Sequence, residues 1–186
     1  MMQGFEGADV VFFGGYHARA GTKGVISHTF DSPTMVPGLE LNGEPCSEAR
    51  MNATLAGLQG IPVGLVTGDD LDCEETEALY PGVQTTHVKT AVDRYTARCL
   101  SPEATHRRIQ GAAASGGVDL VPYTPEPPYS FVVEFPTVSA AVSLLFFSGL
   151  ERVDYRCVFW THEHYETSFK MLISVMRLAR SDPDYR

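Results

Sequence analysis

IPVGLVTGDD (Ile61–Asp70) opens as an apolar run and closes on a glycine and two acids. A short, uniformly apolar run ended by turn residues reads as a buried strand feeding a loop. Upstream of it, Ser47 reads as the N-cap of a helix ending at Gly60, with Met51, Leu55 and Leu58 on one face. Further upstream, DVVFFGG (Asp9–Gly15) is a second apolar run ended by glycines. Downstream, Leu71–Tyr80 reads as a short acidic helix stopped by Pro81-Gly82, and Gln84–Lys89 as a third strand. Strand, loop, helix, strand, helix is the order of a parallel α/β arrangement.

The remaining segments fill out that frame. Tyr16–Phe30 has no clean period, holds Gly21 and Gly24, and reads as a shaped loop. Thr34–Leu41 is a weak strand broken at Pro37-Gly38, and Asn42-Gly43 after it is a tight-turn signal. Helices are expected over Ala91–Leu100 and Pro102–Ala114, the second with proline in its first turn. Gly116–Pro128, containing YTPEPPY, marks a boundary between lobes. Beyond it come a strand over Ser130–Phe135 and a helix facing inward with Val138, Ala141, Val142, Leu145 and Phe146. A strand over Arg152–Trp160 and a last helix follow, the helix facing inward with Tyr165, Phe169, Leu172, Ile173 and Met176. The expected fold is α/β: a parallel-type sheet lobe with helices over 1–116, then a smaller α+β lobe over 117–186.

Charge and composition exclude several functions. The formal net charge is −9, from 14 basic and 23 acidic residues, and no basic cluster exceeds Arg107-Arg108. Such a surface is a poor partner for nucleic acid or anionic membrane. The longest nearly apolar stretch, Val138–Leu150, is far short of the about 20 residues a spanning helix needs. The N-terminus lacks the basic flank of a signal peptide, so a cytoplasmic location is expected. Cys46, Cys73, Cys99 and Cys157 show no CxxC or zinc-finger spacing and read as reduced thiols.

His17 and His28 lie in the glycine-containing loop directly after a strand, where α/β sheets place their ligands. They suit chemistry or backbone bracing equally well. Glu48 falls in the first turn of the helix begun by Ser47, where the helix dipole keeps a carboxylate ionised. It suits a metal beside a neutral imidazole, or simple dipole complementation. Asp69 and Asp70 read as a turn more readily than as metal donors. His162-Glu163-His164 matches neither HExxH nor HxxEH; it reads as a helix start with Thr161 as cap. No GxGxxG, Walker A loop or GxSxG elbow occurs.

GYHARAGTKGVISHT (Gly15–Thr29) resembles the DppA-type zinc D-aminopeptidases. The resemblance continues in order through LNGEPCSE (Leu41–Glu48), IPVGLVTGDD (Ile61–Asp70), HVK (His87–Lys89) and CLSPEA (Cys99–Ala104). It implies a metal-dependent hydrolase acting on short peptides with an N-terminal D-amino acid, and a pair of zinc ions per subunit. By motif, His17 and Glu48 correspond to metal ligands and His28 to the catalytic histidine. It also implies a ring-based homo-oligomer, a decamer, with sites facing an internal chamber. The family pattern further carries an Asp-x-Glu-Gly strand and an Asp-Ser-His segment before GYHA. Glu6 and Asp9 sit in no such pattern, so three implied ligands have no counterpart here. The alternative expectation is therefore a truncated, catalytically inactive member that serves as an oligomerising or peptide-binding domain.

Overall fold

The computed structural model describes residues 2, 4–5, 7–31, 36–80, 82–116 and 119–180. In chain order its elements are β1 (Val11–Gly14), β2 (Gly38–Leu41), β3 (Glu44–Pro45), α1 (Glu48–Gly57), β4 (Val63–Asp69), α2 (Asp70–Leu79) and β5 (Gln84–Asp93). β6 (Thr96–Cys99), α3 (Pro102–Ser115), β7 (Tyr129–Glu134), α4 (Val138–Leu144), β8 (Glu151–Asp154), β9 (Cys157–His162) and α5 (Tyr165–Ala179) complete it. They form two compact units: Met1–Ser27 with Ser47–Pro125, and His28–Cys46 with Glu126–Arg186.

The first unit is an α/β lobe. Its sheet runs β1-β4-β5-β6, with β1, β4 and β5 parallel and β6 antiparallel. All seven residues of β4 are buried, the pattern of a strand covered on both faces. Phe13, Val63, Val66, Tyr80 and Val83 form the core with Ala49 and Ala53 of α1. α1 begins as the sequence indicates, with the Ser47 hydroxyl accepting from the Arg50 amide. Its buried face is broader than expected, and Leu58 stands exposed at its end. Small residues explain this: Ala49, Ala53, Ala56 and Gly57 let neighbouring backbone close in on the helix.

The second unit is an antiparallel sheet, β3-β2-β7-β9-β8, with α4 and α5 packed on it. β7 alternates buried and half-buried residues, as a sheet covered on one face requires. Phe131 stacks on Trp160, whose indole N–H donates to the Ser168 hydroxyl at 3.0 Å. That hydroxyl in turn donates to the Tyr129 carbonyl at 3.1 Å. The Asn42-Gly43 turn joins β2 to β3 with both residues at positive φ, 53° and 77°.

Four expectations need correction. Ala91–Leu100 is not a helix: β5 continues to Asp93 and turns back as β6, with the Asp93 carboxylate accepting from the Tyr95 amide at 2.7 Å. Arg152–Trp160 is two strands, β8 and β9, turning at Tyr155-Arg156. α4 buries the face carrying Ala140, Ala141 and Leu144, which leaves Val138 and Val142 exposed on its other side, and Phe146 lies exposed beyond its end at Leu144. Residues 28–46 lie within the expected first lobe, 1–116, but pack with the second unit, since β2 pairs with β7. Positions 34 and 35, the start of the weak strand, and Pro81, the expected helix stop, lie outside the described residues.

Two buried positions yield measurable consequences. A Cβ on Gly57 would sit 2.0 Å from the Tyr123 carbonyl oxygen and 2.6 Å from its carbon. Gly→Ala in a helix normally stabilises by about 1 kcal/mol. Here Gly57→Ala should instead destabilise, by about 1–3 kcal/mol, because backbone must move. Urea unfolding measures this, and a gain in stability would contradict the packing. The second position is Asp72, buried in the first turn of α2, with an Oδ2 that has no hydrogen-bond partner. Burial, then the charges of Asp69 and Glu75, push its carboxyl up to about 7, with Lys89 opposing. Between its ordinary value and about pH 7 the folded chain holds a proton that the unfolded chain has lost. Asp72 therefore favours folding at low pH, and that contribution disappears as pH rises through 7. Asp72→Asn should be more stable than the parent at pH 8 and lose that advantage near pH 4, read from unfolding curves across pH.

Candidate active site

The loop that carries His17 starts where β1 ends. Gly15, at φ +73°, donates its amide to the Thr67 hydroxyl at 2.9 Å, and the Tyr16 amide donates to the Thr67 carbonyl at 2.9 Å. The loop therefore leaves the sheet beside the carboxyl end of β4, where parallel sheets form ligand sites. His17 Nδ1 lies 2.9 Å from the Val25 carbonyl oxygen. A carbonyl oxygen only accepts, so Nδ1 carries the proton; in the neutral ring the lone pair then belongs to Nε2.

Glu48 comes from the other side of the same cavity. It occupies the first turn of α1, just after the Ser47 cap, and is half-buried. One turn further on, Asn52 is buried and its side-chain amide donates to the Tyr16 hydroxyl at 2.8 Å. Its Oδ1 is buried without a hydrogen-bond partner. Gly14, Gly15, Tyr16, His17, Glu48 and Asn52 line a cavity of about 360 Å³. Burial raises the Tyr16 phenol above its ordinary range; the Asn52 hydrogen bond works against this, and the charges of Glu48 and Asp72 add to it. Below the loop, Glu75 is also raised by burial, while Arg19, Ser47 and Arg50 favour its charged form. The Arg19 amide donates to Glu75 Oε2 at 3.3 Å.

The other candidates are not among the residues that line this cavity. His28 is half-buried and opens the segment that belongs to the second unit. Asp69 is the N-cap of α2, accepting from the Asp72 amide at 2.9 Å, whereas Asp70 forms no turn but accepts from the Ala91 amide of β5 at 2.7 Å. At His162–His164 the His162 ring accepts from the His164 amide at 2.8 Å. Thr161 is not the cap of α5; His164 is, without a side-chain hydrogen bond. Burial pushes the Cys73 thiol up to about 12, which leaves it inert. Asn52 and Tyr16 were not singled out from the sequence. The available signal was helical spacing, which places Asn52 four residues after Glu48 on one face.

The cavity's metal-binding capacity follows from its donors. A tetrahedral zinc takes three or four protein donors from imidazole, carboxylate and thiolate. His17 and Glu48 supply two, and Asn52 adds only a neutral amide oxygen. Among the described residues no group of three or more His, Cys, Asp or Glu is placed to hold a metal ion. These residues alone do not complete a zinc site.

Comparison with known proteins sets the cavity in a family. A family model described as D-aminopeptidase matches residues 1–174. The D-aminopeptidase of Bacillus subtilis (strain 168) is 38% identical over 146 residues, 73% of this chain and 52% of that protein. A solved structure, the Zn-dependent D-aminopeptidase DppA from Bacillus subtilis, described as a self-compartmentalizing protease, superposes with a TM-score of 0.87 at 29% identity. The match covers 94% of this chain and 65% of that one. The chain thus spans about half the length of its curated relative and just under two thirds of the solved one. Matched by the family model over most of its length and sharing this fold, the chain belongs to the D-aminopeptidase family.

Proposed function

We propose that the chain serves zinc-dependent hydrolysis of short peptides bearing an N-terminal D-amino acid. His17 and Glu48 act as metal donors, and His28 as the residue that moves a proton or stabilises the tetrahedral intermediate. One observation carries this reading: in a member of this family, the first loop and the first turn of α1 bring His17 and Glu48 to one cavity. The His17 Nδ1 hydrogen bond supports it, because a ligating imidazole is ordinarily fixed through its other nitrogen. Because only two donors are present, further donors must join them before a tightly held ion can serve the reaction.

The same reading places the protein in a ring-based homo-oligomer, of ten subunits by the family resemblance, whose chamber admits short peptides and excludes folded ones. The description of the solved relative as self-compartmentalizing supports this. A cytoplasmic location is supported by four free cysteines, a usage typical of a reducing compartment. No helix among the described residues is long and apolar enough to cross a membrane, and the acidic charge argues against nucleic acid as a partner. The second reading is a truncated, catalytically inactive member that oligomerises or binds peptides.

Hydrolysis of D-alanyl-D-alanine with added zinc, combined with elemental analysis, distinguishes the two. The purified chain should retain less than one tight zinc. His17→Ala and Glu48→Ala should lower zinc retention and activity together. His28→Ala should keep the parent's zinc content while kcat falls about 100- to 10,000-fold. No hydrolysis by the parent at saturating zinc would favour the inactive reading. Near-normal turnover of a folded His28→Ala would remove that residue's catalytic role.

A further inference from the structure

We propose that Asp69 is the positioning residue for His17, holding the loop in the one conformation that fixes the imidazole. The importance of that ring rests on the reading of His17 as a metal donor. The geometry of the clamp stands apart from it.

Asp69 ends β4 and is fully buried. Its two carboxylate oxygens have different tasks. Oδ1 accepts from the Asp72 amide at 2.9 Å and caps α2. Oδ2 reaches across 44 residues of sequence to accept from the Val25 amide at 2.5 Å. Capping needs one oxygen, and serine or threonine provides it as well as aspartate does. The second oxygen therefore has another use. Val25 also offers its carbonyl to His17 Nδ1 at 2.9 Å. The Val25 backbone thus connects a buried carboxylate on one side to the imidazole on the other.

The surrounding loop is shaped around that connection. A Cβ on Gly24 would lie 2.6 Å from the Ala18 Cβ and 3.1 Å from Asp69 Oδ2, so glycine lets the turn close on the carboxylate. Ile26 sits at φ +51°, a conformation that branched residues rarely hold unaided. It is held there by its amide donating to the Arg94 carbonyl at 2.8 Å, while the Arg94 guanidinium donates to the Ser27 carbonyl at 2.6 Å. Asp69 fixes the loop from β4, and Arg94 fixes its far end from the β5–β6 turn. A charge-assisted bond inside a buried site is the stronger kind. It fixes the Gly24–Val25 peptide, while the Arg94 carbonyl holds the amide of the Val25–Ile26 peptide whose oxygen meets His17. With the two peptides on either side of the Val25 Cα held, the carbonyl and the ring it orients keep one direction.

Imidazole and amide NMR on the zinc-free, substrate-free ¹⁵N-labelled chain tests this. In the parent, neutral His17 should be the Nδ1-protonated tautomer, and the Val25 amide should be shifted downfield and protected from exchange. Asp69→Ser keeps an oxygen for the α2 cap but cannot reach Val25. It should mix the His17 tautomers and cut Val25 protection by about tenfold or more, while the α2 amides stay protected. Asp69→Asn, close in shape, retains one acceptor for two donors and should fall between; it carries the test if Asp69→Ser folds poorly. A parent His17 protonated at Nε2, or unchanged His17 and Val25 signals in either folded variant, would overturn the proposal. Because zinc and peptide are absent, an inactive chain leaves this result untouched. Conversely, a failed clamp leaves the hydrolase reading to its own assay.

Discussion

The carboxyl end of β4 is the point on which the first unit's chemistry depends. Every residue of that strand is buried, and two of its last three, Thr67 and Asp69, reach outward through hydrogen bonds. Thr67 receives the amides of Gly15 and Tyr16, and Asp69 receives those of Val25 and Asp72. Gly68, between them, could not be larger: a Cβ there would meet Asp72 Oδ2 at 2.2 Å and the Tyr16 carbonyl oxygen at 2.7 Å. One strand end thus starts the loop, locks it and caps the next helix. Loops gather function when a rigid scaffold holds them, and here the scaffold contributes backbone acceptors and carboxylates.

This arrangement concentrates negative charge where water is scarce. Asp69, Asp72 and Glu75 follow one another along the start of α2, and the last two are pushed toward their neutral forms by burial. Amides, Arg19, Arg50 and Lys89 offset part of the cost. Asp72 keeps an unpartnered oxygen even so. Buried acids that pack and position at once sacrifice stability for a defined loop, a trade common near reactive centres.

Local signals carried much of the fold in the sequence. The apolar run before Gly68, the Ser47 cap and the Asn42-Gly43 turn each act within a few residues, and each appears where its chemistry demands. Failures occurred where partners are remote. Ala91–Leu100 has helical composition, yet pairing of Lys89 with Cys99 and Ala91 with Ala97 makes it a hairpin. Residues 28–46 join the second unit through β2 and β7, about 90 positions apart, which no local pattern encodes. The site divides in the same way. Strand-end loops, a helix first turn and the motif resemblance mark His17, His28 and Glu48 as candidates, and the fold brings His17 and Glu48 to one cavity. Asn52 facing Tyr16, and Asp69 reaching Val25, are tertiary contacts between ordinary polar residues, and nothing local distinguishes them.

On the proposed reading, the cavity between the first loop and α1 is where this chain meets a metal ion. A zinc titration followed through the side-chain signals of every histidine and carboxylate distinguishes it from other places. His17 and Glu48 should respond together and first, with weak affinity, because two donors are present. First response at His162 and His164, with His17 and Glu48 silent, would contradict it.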